Sequence, residues 1–197
     1  MSKTARLALD WHVIRLAAVG STMDEAAEHA RDGAPAGTIV VADHQTAGRG
    51  QRGHSWLETP GTCLLATIVF RPQLGVAVSP DLSHVIAGRV AGALNRIAAV
   101  ETAIKPPNDV LIGGRKVCGI LSQSSIRGDV LDYLLIGIGL NVNVEEADLP
   151  LPTATSLLVE TGRNFDRDVL LRVILDELTT IPGLCTRRPS ESRNFQD

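Results

Sequence analysis

No stretch of the 197-residue sequence reaches the roughly 18 consecutive apolar residues that a membrane-spanning helix needs. The first nine residues carry charge without a hydrophobic signal core, so secretion is not indicated and the expected location is the cytoplasm. Positive charge is not in excess either: 19 Lys and Arg stand against 22 Asp and Glu, for a formal net charge of −3. No general cationic field is available to gather nucleic acid, and any anion must be held by a local site. Cysteine is scarce. Cys63, Cys118 and Cys185 are odd in number, far apart and outside any CxxC pair, which argues against a disulfide frame and against a zinc knuckle. They read as buried thiols. The five histidines show no HExxH or similar ligand spacing, and no GxSxG elbow offers a serine nucleophile. Internal repeats and dividing linkers are also missing. The 44% apolar composition supports one core of ordinary size or two small ones.

The residues that are present punctuate the chain clearly. Ser21 suits a helix N-cap, Asp24 stands where it can return the hydrogen bond, and Gly33 supplies a left-handed stop, which predicts a helix over 22–32. Residues 38–42 are a β-branched run, and 62–70 (TCLLATIVF) form a second run of strand length. Ser79-Pro80 opens a helix whose apolar positions 82, 85, 86, 90, 94 and 97 share one face to about residue 99. Strands are predicted over 102–105, 110–112, 116–122 and 130–138, turned by Gly113-Gly114 and by Arg127-Gly128-Asp129. A second amphipathic helix spans 166–180 behind an acidic cap. The mixture is α/β or α+β, and the antiparallel hairpins exclude a purely parallel doubly wound sheet.

Three segments could carry chemistry. In QTAGRGQRGHSW (residues 45–56), Gly48, Gly50 and Gly53 interleave with Arg49 and Arg52 between two apolar strands. Glycines let backbone N–H groups turn into a concave nest, and guanidinium forks hold a phosphate or carboxylate through paired hydrogen bonds. Trp56 at the loop exit offers a π face to a purine. A solvated surface loop with a core tryptophan is the simpler alternative; neither a Walker A loop nor a GxGxxG is present. In KPPND (105–109), Lys105 is pushed into an extended conformation, and the prolines stiffen the approach to Asn108 and Asp109, a set suited to a magnesium phosphate or to an ordinary proline turn. Lys116 begins the apolar strand KVCGIL, where it must meet either solvent or a charge. In GIGLN (137–141), alternate glycines clear one strand face for a ligand or for tight packing.

Taken together, Ser21-Thr22 at a helix start, GRGQRGHSW, KPPND with KVCGIL, and GIGLN resemble, in order, the biotin–protein ligases, relatives of the lipoate ligases. The resemblance covers about residues 12–180. It implies an α+β fold, a mixed and largely antiparallel sheet flanked by helices, and a two-step reaction. Biotin and MgATP give biotinyl-AMP and pyrophosphate, and biotin then passes to a lysine of the biotin carboxyl carrier protein of acetyl-CoA carboxylase. The first step joins two anions, so positive charge and positioning must supply most of the catalysis.

By position, the resemblance makes Lys116 and Arg49 the catalytic cations. Ser21, Thr22, Met23, Gln45, Gly50, Gln51, Leu121, Gly137 and Gly139 would complete the biotin site. Gly48, Arg52, His54, Trp56, Lys105, Asn108 and Asn141 would serve the nucleotide, and Asp109 the Mg2+. A homodimer fits the family; nucleic acid and membrane do not enter. The expected layout is a catalytic domain over 1–183 and a disordered tail over 184–197, without the N-terminal helix-turn-helix or C-terminal β-barrel of many relatives. Gln51 and His54 replace arginines common in the family, and Pro106 replaces the usual tryptophan. The neutral Gln51 implies a leakier adenylate. The alternatives are a non-catalytic binder of biotin or its adenylate, and a lipoate or octanoate ligase.

Overall fold

The computed structural model describes residues 9–72, 81–128 and 130–185. Seven strands form one sheet: β1 (His12–Leu16), β2 (Thr38–Ala42), β3 (Cys63–Phe70), β4 (Thr102–Lys105), β5 (Asp109–Ile112), β6 (Arg115–Arg127) and β7 (Val130–Asn141). Their order across the sheet is β1-β2-β3-β7-β6-β5-β4. Only the β1–β2 pair is parallel, joined through helix α1 (Thr22–Arg31). The remaining pairs are antiparallel, so the fold is the expected α+β arrangement with a mixed sheet.

Side chains alternate across the sheet with period two, and this decides where the core and the site lie. Ile68, Phe70, Ile120, Ile136, Ile138 and Leu140 face one side, where α2 (Leu82–Ala98) and α4 (Arg167–Leu178) bury them in the main core. The other side holds Val69, Tyr133 and Leu135 beneath α1, which packs close through Ala26, Ala27 and Ala30. α1 covers only part of that face. Its C-terminal end is tied down by Arg71, whose guanidinium donates to the carbonyls of Ala30 (2.7 Å) and Ala34 (3.0 Å) and, on the other side, to that of Asp132 (2.9 Å).

The turn residues behave as their chemistry dictates. Gly33 has φ of +90° just beyond α1, and Gly113 and Gly114 both sit at positive φ in the β5–β6 hairpin, as a primed two-residue turn requires. Several expectations need revision. β1 was not anticipated; it is an edge strand with exposed His12 and Val13. β6 and β7 run on to Arg127 and Asn141, beyond the expected 122 and 138, because cross-strand backbone pairing carries the polar stretch 122–125. A short helix α3 (Leu157–Thr161) also appears. Ser21 caps α1 through the Met23 N–H, but Asp24 does not return the bond: its carboxylate is ion-paired with Arg49. The folded chain passes the expected boundary at 183, since Leu184 is buried in the main core. Ser79-Pro80, Asp129 and residues 186–197 of the expected tail lie outside the described residues.

Cys63 and Cys118 are buried, whereas Cys185 is only half-buried. Burial disfavours the thiolate and pushes Cys63 and Cys185 up to about 11 and Cys118 up to about 12. At pH 8 a thiol with a pKa of about 11 is ionised to roughly one part in a thousand. Native protein treated with iodoacetamide at pH 8 is therefore expected to keep Cys63 and Cys118 unmodified by intact mass, while denatured protein gains all three adducts. Rapid native labelling of either residue would contradict the packing described here.

Candidate active site

The uncovered part of the α1 side of the sheet is floored by glycine. Register places Leu65, Gly139 and Gly119 side by side across β3, β7 and β6, and Thr67, Gly137 and Leu121 in the next row. Where Gly119 and Gly139 face each other the sheet has no side chains, and the resulting pocket has about 470 Å3 of space including its mouth. Trp56 lies on this bare floor. A Cβ built on Gly139 would come within 2.7 Å of the indole, and one on Gly119 within 3.0 Å. Trp56 thus walls the pocket while packing against the small apolar cluster of Cys63, Leu65 and Val144, and its indole N–H is buried without a hydrogen-bond partner.

Three further walls come from separate segments. The first turn of α1 contributes Ser21, Thr22 and Met23, the loop between β2 and β3 contributes Gln45, Arg49, Gly50 and Gln51, and β6 contributes Lys116 and Leu121. The loop is built as a short hairpin. Trp56 N–H donates to Gly48 O at 2.9 Å and Gly50 N–H to His54 O at 2.7 Å, with Arg52 at the tip in left-handed geometry (φ 55°). Gly48 and His54 line a second hollow, which shares Arg49 and Gly50 with the pocket.

Both expected catalytic cations reach the pocket, each already opposite a carboxylate. Lys116 Nζ lies 2.7 Å from Asp109 Oδ1 and 5.4 Å from the centre of the Trp56 ring. It meets a charge and an aromatic face, and the alternative of a solvent-facing lysine does not hold. Its backbone is pinned from outside the sheet, with its N–H on Thr153 O and its carbonyl accepting from Thr155 N–H, each at 2.8 Å. Arg49 pairs with Asp24 in the first turn of α1. Asn108 also lines the pocket; its side chain donates to Ile120 O at 2.6 Å, so KPPND is clamped to β6 and is not a self-bonded proline turn.

The structure does not bring every expected residue together. Asn141 is 3% exposed, and its amide is spent on Thr155 O (2.9 Å) and on the Cys63 thiol (3.6 Å), so it braces the segment behind Lys116 and does not reach the pocket. Lys105 is exposed at the end of edge strand β4, and Arg52 is exposed at the loop tip; neither lines the pocket. Thr67 and Asp24 were not foreseen as site residues. Thr67 is the one polar side chain within the apolar strand β3, a signal that was present to be read. Among the described residues no cluster of three or more His, Cys, Asp or Glu could cage a metal by itself.

The biotin/lipoate A/B protein ligase family model matches residues 17–141. The bifunctional ligase/repressor BirA of Bacillus subtilis is 37% identical over 167 residues, 83% of this chain and 51% of that protein. The biotin–[acetyl-CoA-carboxylase] ligase of Paracoccus denitrificans is 38% identical over 165 residues, 81% of this chain and 68% of that protein. Biotin protein ligase from Aquifex aeolicus, solved with biotin and ATP, superposes with a TM-score of 0.72 at 31% identity, covering 86% of this chain and 69% of that one. The Leishmania major enzyme in complex with biotinyl-5-AMP gives 0.70 at 29% identity, covering 89% and 76%. The chain spans about half the length of the BirA proteins it matches. With a glycine-floored pocket and its converging cations set in this fold, the chain belongs to the biotin/lipoate A/B protein ligase family.

Proposed function

We propose that the chain carries the catalytic centre of an ATP-dependent biotin–protein ligase. The observation that supports this most directly is the convergence of Arg49 and Lys116, from a loop and a strand more than 60 residues apart, on one pocket with a bare sheet floor. A biotin carboxylate oxygen attacks the α-phosphorus of ATP, the bond to the pyrophosphate oxygen breaks, and biotinyl-AMP and pyrophosphate form. The amine of an acceptor lysine then attacks the acyl carbon, loses its proton and displaces AMP. Two anions meet in the first step, so preorganised cations facing the developing charge lower its barrier.

In this reading the glycine floor and the first turn of α1 receive the biotin ring system, while Gln45, Arg49 and Lys116 surround its carboxylate. Trp56 offers a ring face and an unpartnered N–H. Magnesium arrives with the nucleotide. An ion held chiefly by phosphates needs only one or two protein carboxylates, and Asp109, held against Lys116, suits that role. The acceptor is a carboxyl carrier protein of the kind implied by the name of the Paracoccus relative.

The test is incubation with biotin, MgATP and a recombinant biotin carrier domain, followed by intact-mass measurement and a pyrophosphate assay. One biotin added to one carrier lysine, with biotin-dependent pyrophosphate release, is expected. Binding of biotin without pyrophosphate would make the protein a holder, and release driven by octanoate or lipoate would move it to the sister branch. Gln51 lines the pocket at the start of the turn Gln51–Gly53, where the resemblance expects an arginine. A neutral amide retains an adenylate less firmly than a guanidinium fork does. Gln51→Arg is expected to cut labelling of bystander lysines about tenfold, equivalent to ~1.4 kcal/mol of retention. Equal labelling by both forms would refute this.

A further inference from the structure

Directly behind the pocket is a buried carboxylate that the reaction as described does not use. Glu58, two residues beyond Trp56, has a side chain only 2% exposed. Its Oε1 accepts the Gln45 N–H at 3.0 Å and lies 2.6 Å from His44 Nδ1; its Oε2 is buried with no partner. Leaving a carboxylate oxygen dry and unpaired is unfavourable, and an apolar side chain would fill the same space without that cost. Packing alone therefore does not account for a glutamate here.

Glu58 Oε1 closes the base of the loop over residues 45–58 by joining its two ends. At the other end of Gln45, the side-chain Oε1 accepts from the Thr22 N–H (2.7 Å) and from the Thr22 hydroxyl (3.0 Å), which in turn accepts from the Thr67 hydroxyl (2.9 Å). Those two bonds occupy the amide oxygen and settle which way the amide is turned. The Nε2 donor is left beside Gly48, where a Cβ on Gly48 would lie 3.1 Å from it. Gln45 lines the pocket, and Glu58 holds the backbone from which its side chain extends.

We propose that Glu58 is a positioning residue for binding of the acid: by anchoring the Gln45 peptide it sets the Gln45 side chain, tied at its far end to Thr22, in the pocket wall that the bound biotin meets. The inference rests on the ligase reading above and adds to it a residue that acts only through Gln45. Loss of one well-placed hydrogen-bonding side chain typically weakens binding by up to about tenfold, and binding energy shared by ground and transition states shows in KM, not in kcat.

The test uses the full chain, with biotin Kd by calorimetry, KM and kcat for pyrophosphate release, and thermal melts. Glu58→Met keeps the length but removes acceptor and charge, and Glu58→Ala is made alongside it; Glu58→Gln restores an acceptor for the Gln45 N–H. Expected are about a tenfold rise in biotin Kd and KM for the Met and Ala variants, kcat within about twofold, and recovery to within about twofold in Glu58→Gln. Gln45→Ala should cost about the same, and adding Glu58→Met to it should cost less than about twofold more. Additive losses in the double variant, unaltered KM in Glu58→Met, a loss confined to kcat, or failure of Glu58→Gln to recover would each overturn the proposal. So would failure of both the Met and Ala variants to fold, which would make Glu58 a residue of the fold. A wild-type chain that does not bind biotin overturns the ligase reading as well, whereas an active wild type with an additive cycle overturns this inference alone.

Discussion

Lys116→Ala is expected to lower biotin-dependent pyrophosphate release by about 10²–10³-fold while leaving the chain folded, with Arg49→Ala falling in the same range. The charge argument sets the size of the effect. In the proposed reaction the attacking carboxylate and the α-phosphate repel each other, and both cations line the pocket in which the two would meet. Lys116 lies over the sheet floor with its ammonium against Asp109 and the Trp56 face; Arg49 enters the pocket lining from the loop. Each is neutralised by a carboxylate, so neither charge is stranded and each can exchange its partner for a substrate oxygen. The fold argument limits collateral damage. The backbone of Lys116 is held by Thr153 and Thr155 whatever its side chain, and both ion pairs are exposed enough to be worth no more than ~1 kcal/mol. Single-turnover pyrophosphate release with parallel thermal melts checks this. A folded Lys116→Ala protein with wild-type rate would remove the central support for the ligase reading.

How much of this could be read from the chain depended on whether the deciding interaction was local. Helix α1, strands β2 to β5 and the glycine turns are announced by caps, β-branched runs and Gly-Gly chemistry, all of which act within a few residues. The pocket floor was half legible. Alternate glycines in GIGLN pointed to a cleared strand face, but that Gly139 faces Gly119 across the β6–β7 pair is a matter of register, which no single segment encodes. Edge strand β1 escaped notice because its exposed His12 and Val13 and its charged Arg15 blur the apolar alternation. Asn141 was misplaced for a related reason. It follows the glycine strand and looks available, yet the fold folds residues 153–155 back onto it and consumes its amide. Asp24 matched a local capping pattern that a long-range partner, Arg49, overrode. Glu58 has no local signature at all, since its burial depends on both ends of a loop meeting.

Steric reasoning at the floor separates two substitutions that look alike in sequence. Gly139→Ala is expected to destabilise the protein by about 1–3 kcal/mol, the usual range for overpacking, and to raise KM for both biotin and ATP about tenfold or more. Gly137→Ala is expected to cost less than ~1 kcal/mol and to affect biotin alone. The difference lies in what each new methyl meets. At Gly139 it would lie 2.7 Å from Trp56 Cε2 and 2.9 Å from two further ring atoms. The indole is a rigid plate seated over both Gly139 and Gly119 with Lys116 at its face, so it cannot yield by a bond rotation as a flexible side chain can. It must lift into the pocket, taking space from the acid and turning its face away from the nucleotide. At Gly137 the nearest atom, at 2.9 Å, is the terminal methyl of Met23, the far end of a side chain with three rotatable bonds; the next, Leu121 O, is an ordinary 3.5 Å away. Met23 can swing aside at little cost, and the only loss is a narrower biotin end. Thermal melts and two-substrate kinetics on the two alanine variants decide the matter. Equal penalties, or an undisturbed Gly139→Ala protein, would mean that Trp56 is not seated on the glycine floor.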